Sequence, residues 1–510
     1  MKNGYFNEFT NLQNNPNIQY ACLDEFTYPA YPSEVEYFKD YFTYNSMNVN
    51  VNSYCSLTPG GGYNTITGFV RFDENNDGCD TNDKVFQHMK LKINDGTTAN
   101  SETFVKENGE FNFHSKTGNF TVTAEPENPS LFTVTPASFT TNFANNNNNV
   151  LTQNICITKN GNIKDLEVLI SPVTDARPGF DAVYKLIWRN KGNTTLSGTV
   201  TLTFDAAKMM FLSSVLPSTV NGNQVTINFN NLIPYANTAS ELTFKINAAT
   251  NLTTPVNIGD SLNFNAIINS PSGENTPEDN EFTFKQTVVG NFNPNDITCL
   301  EGGQISSSMI GKYLHYIINF ENTGTAQAKN IVAEVNINPD DFDITSLQLQ
   351  NTSHSTYTKV AGNKVEFIMK DINLATLAHG NISLKIKSKN NLVTGDSVSN
   401  QANIYFDYNF PVETNNAVTM IKNPTLQVND ITINNSINVY PNPTKDDVNI
   451  STDSKIRSVE VYDTQGRIIQ KHMNINSTKT SVSIHNKVSG VYIFKIITEN
   501  DTIIKKVIKY

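Results

Sequence analysis

The spacing Gly179-x-x-x-x-Tyr184-x-x-x-Trp188-x-Asn190-x-Gly192 returns as Gly311-x-x-x-x-Tyr316-x-x-x-Phe320-x-Asn322-x-Gly324, a constant offset of 132 (311 minus 179, 324 minus 192). Gly222-Asn223-x-Val225 recurs as Gly362-Asn363-x-Val365, and Gly259-Asp260-Ser261 as Gly395-Asp396-Ser397. Matching turn residues between matching apolar runs mean two copies of one fold, residues 160–292 and 293–424. The runs are short, alternate with period two and are separated by Asn/Gly turns, so each copy reads as an immunoglobulin-like β-sandwich without the cysteine bridge. Trp188, the only tryptophan, has Phe320 as its counterpart, which makes it a core residue rather than a ligand platform.

Both flanks continue the pattern. Residues 57–159 open with the linker Thr58-Pro59-Gly60-Gly61-Gly62 and the strand Ile66 to Phe72. They alternate again at Phe111-Asn112-Phe113, Phe120 to Thr123, Phe132-Thr133-Val134 and Ile155-Cys156-Ile157, as a sandwich should. Residues 437–510 read as a small β-module with a hairpin at Asp463-Thr464-Gln465-Gly466, joined to the body by a polar linker at 425–436. The fold class expected is all-β: tandem sandwiches followed by a small C-terminal one. Only 17% of residues are charged and 38% are hydrophobic, a balance that suits many short strands with polar turns.

After the strand Ile66 to Phe72 comes Asp73-Glu74-Asn75-Asn76-Asp77-Gly78-Cys79-Asp80-Thr81-Asn82-Asp83. Oxygen-bearing side chains at alternate positions, with glycine sixth, are what a hard cation requires: the oxygens converge while the glycine lets the chain reverse. Asp73, Asn75, Asp77, Asp80 and Asp83 are therefore the candidate ligands of a structural calcium ion. An EF-hand would carry Glu at position twelve; Lys84 stands there instead. The competing reading is a solvated Asn/Asp turn.

Net charge is −11. Residues 437–510 hold 11 Lys or Arg against 7 Asp or Glu, so they carry +4 and the body −15. An acidic body repels nucleic acid and anionic membrane. No stretch approaches the ~18 apolar residues of a membrane span. Five cysteines allow two disulfides and one spare thiol, with Cys22–Cys55 and Cys79–Cys156 as the pairs, or five reduced thiols. Seven histidines are scattered without ligand spacing, and no nucleophile elbow occurs. Asp340-Asp341-Phe342-Asp343 reads as an exposed turn. No catalytic or organic-cofactor residues are assigned, and the chain is read as non-enzymatic.

Four elements of the tail carry a resemblance: Tyr440-Pro441-Asn442-Pro443, Val461-Tyr462-Asp463 to Gly466, Ser489-Gly490-Val491-Tyr492, and Lys505-Lys506-Val507-Ile508-Lys509. In that order they resemble the type A C-terminal sorting domain of proteins exported by the type IX secretion system of Bacteroidetes. The resemblance implies the translocon and sorting machinery as partners, and a destination in the medium or at the outer-membrane surface. Phe9, Leu12, Asn14, Asn15, Pro16, Ile18, Cys22 and Leu23 look like the last turn of a leucine-rich repeat array, with Glu34 to Phe42 as a capping helix, so residues 1–56 are read as the end of such an array. The acidic loop resembles the B-type and prealbumin-like repeats of bacterial surface proteins. Asn293 to Gly302, Phe320 to Thr325 and Ala402 to Pro411 resemble an uncharacterised β-domain that precedes such sorting tails.

Met1-Lys2-Asn3-Gly4-Tyr5 shows no secretory h-region, which suggests a piece of a longer protein. The reading is a secreted or surface protein of adhesion or recognition, binding an unidentified protein or glycan. An alternative is the stalk and sorting region of a surface hydrolase whose catalytic domain lies upstream. A third reading has the sandwiches themselves binding sugars.

Overall fold

The computed structural model describes residues 2, 18–25, 33–97, 100–269, 273–291, 293–422, 437–464, 467–499 and 502–510. The chain is all-β, and Glu34–Tyr44 is the only α-helix among the described residues. Two compact units emerge, Met1–Asn423 and Pro424–Tyr510. The expected linker at 425–436, and Phe9, Leu12, Asn14, Asn15 and Pro16 of the expected leucine-rich turn, lie outside the described residues.

The helix begins where Ser33 Oγ accepts the Glu36 amide, and its first turn is acidic, as the helix dipole favours. It packs Val35, Phe38 and Phe42 against Ala21, Leu23 and Val51. Ala21 and Val51 belong to Tyr20–Cys22 and Asn50–Asn52, two short strands paired in parallel; such pairing needs a crossover, which the helix supplies. Of the two cysteine states open from sequence, the bridged one is formed: Cys22–Cys55 and Cys79–Cys156, with Cys299 a buried thiol.

The sandwich after the glycine linker is built on Asn64–Asp73, which pairs in parallel with Val150–Thr152 and Ile155–Lys159 and antiparallel with Glu110–Ser115. Lys90–Asn94, Asn100–Phe104, Gly118–Glu125 and Ser138–Phe143 form the opposite sheet. Ile66, Val70, Phe72, Phe111, Val122 and Ile157 fill the space between them.

The repeat found in the sequence has a structural cause. Asn190 Nδ2 donates to the carbonyls of Thr194 and Leu232 while its Oδ1 accepts the Gly192 amide. Asn322 repeats this set with Ala326, Leu374 and Gly324. The Asn-x-Gly spacing thus satisfies backbone groups at a strand end that would otherwise be buried unpaired. Gly222 and Gly362 both take φ +60°, a left-handed hairpin position that side chains resist. The Gly-Asp-Ser repeats match as well: Asp260 Oδ2 accepts the Asn257 amide and Asp396 Oδ2 the Val393 amide, each carboxylate closing its own turn.

One consequence of the packing is invisible in the alternation. The sheets containing Leu166–Pro172 with Asp181–Asn190, and Tyr313–Glu321 with His379–Ser388, turn apolar side chains into their own cores. Their outward polar side chains are buried against the neighbouring sandwiches. Arg189 bonds Glu167 at 2.9 Å and Glu127 at 3.0 Å, and Lys385 reaches both glutamates at 2.8 Å. His315 Nδ1 lies 2.6 Å from Glu301 and Nε2 3.8 Å from Glu167. The residues come from all three sandwiches.

Burial alone would raise both glutamates, but Lys385 and Arg189 outweigh it. Glu127 is held down to about 2, and Glu167 well below the carboxylate range. Burial would likewise depress His315, yet Glu301 and Glu167 push it up to about 9.

A second joint crosses the module boundaries. Asn100–Phe104 pairs with Tyr357–Ala361 through Glu102↔Val360 and Ser101↔Ala361, merging two sandwiches into one nine-stranded sheet. Tyr235 also enters the core of the neighbouring sandwich, stacking on Phe86 with centroids 4.6 Å apart.

In the unit Pro424–Tyr510, Asp447–Tyr462 and Ile468–Ser483 form a long hairpin whose register breaks between Ser451 and Ile456. Gly490–Thr498 and Thr502–Lys509 complete the sheet beside Asp447–Tyr462. Val448, Val459, Val461, Phe494, Ile496 and Val507 make its core. The hairpin turn residues Gln465 and Gly466, and Asn500-Asp501, lie outside the described residues.

Candidate functional site

The strand Asn64–Asp73 ends at Asp73, whose carboxylate is nearly buried at 3% exposure and takes over the turn that follows. Its Oδ1 accepts the amides of Asn76 at 2.6 Å and Asp77 at 3.2 Å, and its Oδ2 accepts that of Gly78 at 2.9 Å. Gly78, at φ +101°, makes the reversal the sequence pattern called for. The disulfide Cys79–Cys156 fixes the middle of the loop to the sandwich. Arg71 fixes its far end through the carbonyls of Thr81 and Asp83.

The folded loop brings oxygens of Asp73, Asp77 and Asp83 within 4.8 Å of one another, the only such group of acidic, histidine or cysteine side chains among the described residues. Three carboxylates at that separation repel in the absence of a cation. Three carboxylate oxygens suit the oxygen-rich demand of calcium, which takes six to eight oxygen ligands. The other two candidates are differently engaged. Asp80 accepts from Asn82 with both oxygens, at 2.6 and 3.2 Å, and stands apart from the cluster. Asn75 donates to Asp77 Oδ2 at 2.9 Å while its Oδ1 accepts the Asp77 amide. Asn75 thus positions Asp77.

In the C-terminal unit, the Tyr-Pro-Asn-Pro opening clamps the last strand. Asn442 Nδ2 donates to the Lys506 carbonyl at 2.7 Å and its Oδ1 accepts the Ile508 amide at 2.9 Å. Thr444 continues the clasp: its amide donates to the Ile508 carbonyl at 2.8 Å, and its carbonyl accepts the Tyr510 amide at 3.1 Å. Two motifs about 60 residues apart in sequence are therefore one structural element. At the hairpin, Asp463 accepts from both the amide and the Nε of Arg467, at 3.0 and 2.7 Å.

Sequence reasoning gave no sign of a cavity of about 350 Å³ beside the joint of the nine-stranded sheet, because its walls come from segments as far apart as Lys2 and Ile368.

Residues 438–510 match the secretion system C-terminal sorting domain, and residues 293–420 match a domain of unknown function (DUF7619). No curated protein matches the chain. Among solved structures, the BSP domain of a biofilm-associated protein is 9% identical, with 68% of this chain and 81% of that one covered, at a TM-score of 0.23. The collagen adhesin CNA from S. aureus is 15% identical over 51% of this chain and 93% of its own, with a TM-score of 0.19. BcpA, the major pilin subunit of Bacillus cereus, is 11% identical over 83% and 96%, again at 0.19. Likenesses this slight say nothing of what the present chain does.

Proposed function

We propose that this is a non-enzymatic protein of the cell surface or the medium, delivered by the type IX secretion system through residues 437–510 and serving in adhesion or recognition. The observation that carries the reading is the sorting-domain match at the C-terminus, on a unit with its own core and its own clasp. The buried charges of the body neutralise one another, which supports a scaffold. In this reading calcium binds Asp73, Asp77 and Asp83 and stiffens the first sandwich. The parallel pair Tyr20–Cys22 with Asn50–Asn52, crossed by a helix, supports residues 1–56 as the end of a leucine-rich array of the Bacteroidetes type.

The test is a fluorescent cargo carrying its own leader peptide and residues 437–510, expressed in a flavobacterial host. Cargo in the medium or at the surface is the expected result; cargo held in the periplasm overturns the export reading.

A further inference from the structure

The buried lysines of the chain sit beside carboxylates, with one exception. Lys90, Lys191, Lys385 and Lys509 each lie within 4.0 Å of at least one. Lys185 is buried as well, at 6% exposure, yet among the described residues no carboxylate comes within 4.0 Å of its Nζ. A cation left in this way is costly in a folded protein. Its partner is a neutral amide: Nζ donates to Asn381 Oδ1 at 2.7 Å. Asn381 is itself fully buried, and its Nδ2 has no hydrogen-bond partner.

The two side chains stand on outward faces of the repeated sandwiches, where Asp181–Asn190 of the first copy meets His379–Ser388 of the second. Glu241 lies directly across the strand pair from Lys185. Its Oε1 is 3.7 Å from Nε2 of His379, two positions before Asn381. Glu241 is the charged group that acts on Lys185, and His379 and His354 in turn feel the lysine. Burial outweighs Glu241 and brings the Lys185 ammonium down to about 8. An amine that can shed its proton beside an amide carbonyl is a nucleophile, and one held in place reacts with the advantage of an intramolecular partner.

We propose that Lys185 and Asn381 join in an intramolecular isopeptide bond that welds the two repeated sandwiches together. Glu241 takes one proton from the Lys185 ammonium. The freed lone pair on Nζ attacks Cγ of Asn381, one bond beyond the oxygen it already touches, and the Nζ–Cγ bond forms. The Cγ–Nδ2 bond then breaks; Nδ2 takes the second proton from Nζ and departs as ammonia. Because Nδ2 has no partner, its departure gives up no hydrogen bond. No oxidant, reductant or further reactant enters. The side chains of Glu241 and His379 are 32% and 39% exposed, so ammonia and the proton on Glu241 have a way out to solvent. The bond spans 196 positions and is independent of both export and recognition.

The experiment is the intact mass of the full chain, folded at about pH 8, where Lys185 is half neutral, then reduced and denatured. The expected mass is one ammonia below that of the sequence, with peptide mapping giving a branched peptide that carries both Lys185 and Asn381. Lys185→Arg and Asn381→Ala should each show the full mass of their own sequence. Glu241→Gln should slow the loss of ammonia from freshly translated chain at least about a hundredfold, at an unchanged melting temperature of the unlinked form, which a merely structural role would not produce. A chain that keeps its full sequence mass overturns the proposal. So does ammonia loss that maps to an Asn-Gly turn such as Asn108-Gly109, where a succinimide forms instead. Undiminished loss in Glu241→Gln overturns the proton route.

Discussion

The acidic loop and the buried charged joint are both clusters of carboxylates, and they solve the same electrostatic problem in opposite ways. At the joint, Glu127 and Glu167 lie within 3.0 Å of Arg189 and Lys385, which come from two other strands of the same body. In the loop, Asp73, Asp77 and Asp83 gather within 4.8 Å with only backbone amides and Asn75 for company. The first cluster is complete within the chain. Under the proposed function, the second would be completed by calcium from solution. Where charge is balanced internally it ties modules together; where three carboxylates gather without a cation of the chain's own, the proposed calcium ion would supply the balance.

The harshest way to break this contrast is to remove one cation from the joint. Lys385→Met should destabilise the body by about 3–5 kcal/mol, because two buried glutamates then share one arginine. Replacing Glu127, Glu167, Arg189 and Lys385 together by apolar residues should cost much less in chemical denaturation, since no charge is stranded.

A gentler probe is pH. His315 is raised from its ordinary 6.5 to about 9, so its contribution is fully present below pH 6.5 and is lost as pH climbs through 9. The melting temperature should fall across that window, and His315→Gln should flatten the decline.

The loop should behave the other way round. Calcium at one hundred times its dissociation constant should stabilise the protein by about 2.7 kcal/mol, which a melt with and without chelator reads directly. Without calcium, Asp77→Asn should be neutral or slightly stabilising, because it relieves repulsion; with calcium it should be destabilising. Superimposed melts would mean that the loop is an ordinary turn.

The smallest effect concerns the sorting unit. Asn442→Ala should cost about 1 kcal/mol and speed exchange of the Ile508 amide, whose acceptor it removes.

How much of this could be read from the residues depends on range. Period-two alternation specified strands because neighbouring side chains on a strand must face opposite ways, and the turn residues that recur at an offset of 132 do local work in both copies. The gathering of Asp73, Asp77 and Asp83 was legible for the same reason, since they lie within eleven residues of chain. Its finer division was not: that Asp80 turns to Asn82 depends on φ and ψ along the loop rather than on residue type.

The joint was hidden by its own pattern. Arg189 and Lys385 occupy the polar phase of their strands, where solvent is the ordinary neighbour, yet each is only 2% exposed. Nothing in one strand reports that another sandwich covers it. The cavity was out of reach for the same cause.

The pairing of Glu102 with Val360 spans 258 positions (360 minus 102), with a whole sandwich lying between its ends. A ribosome adding residues in order would leave the strand Asn100–Phe104 with an open edge for most of the synthesis of the body. The first sandwich therefore reaches its final sheet only after more than two hundred further residues have emerged, and assembly cannot finish one module at a time. Any escort that keeps this chain from aggregating has to shield that edge until its distant partner arrives.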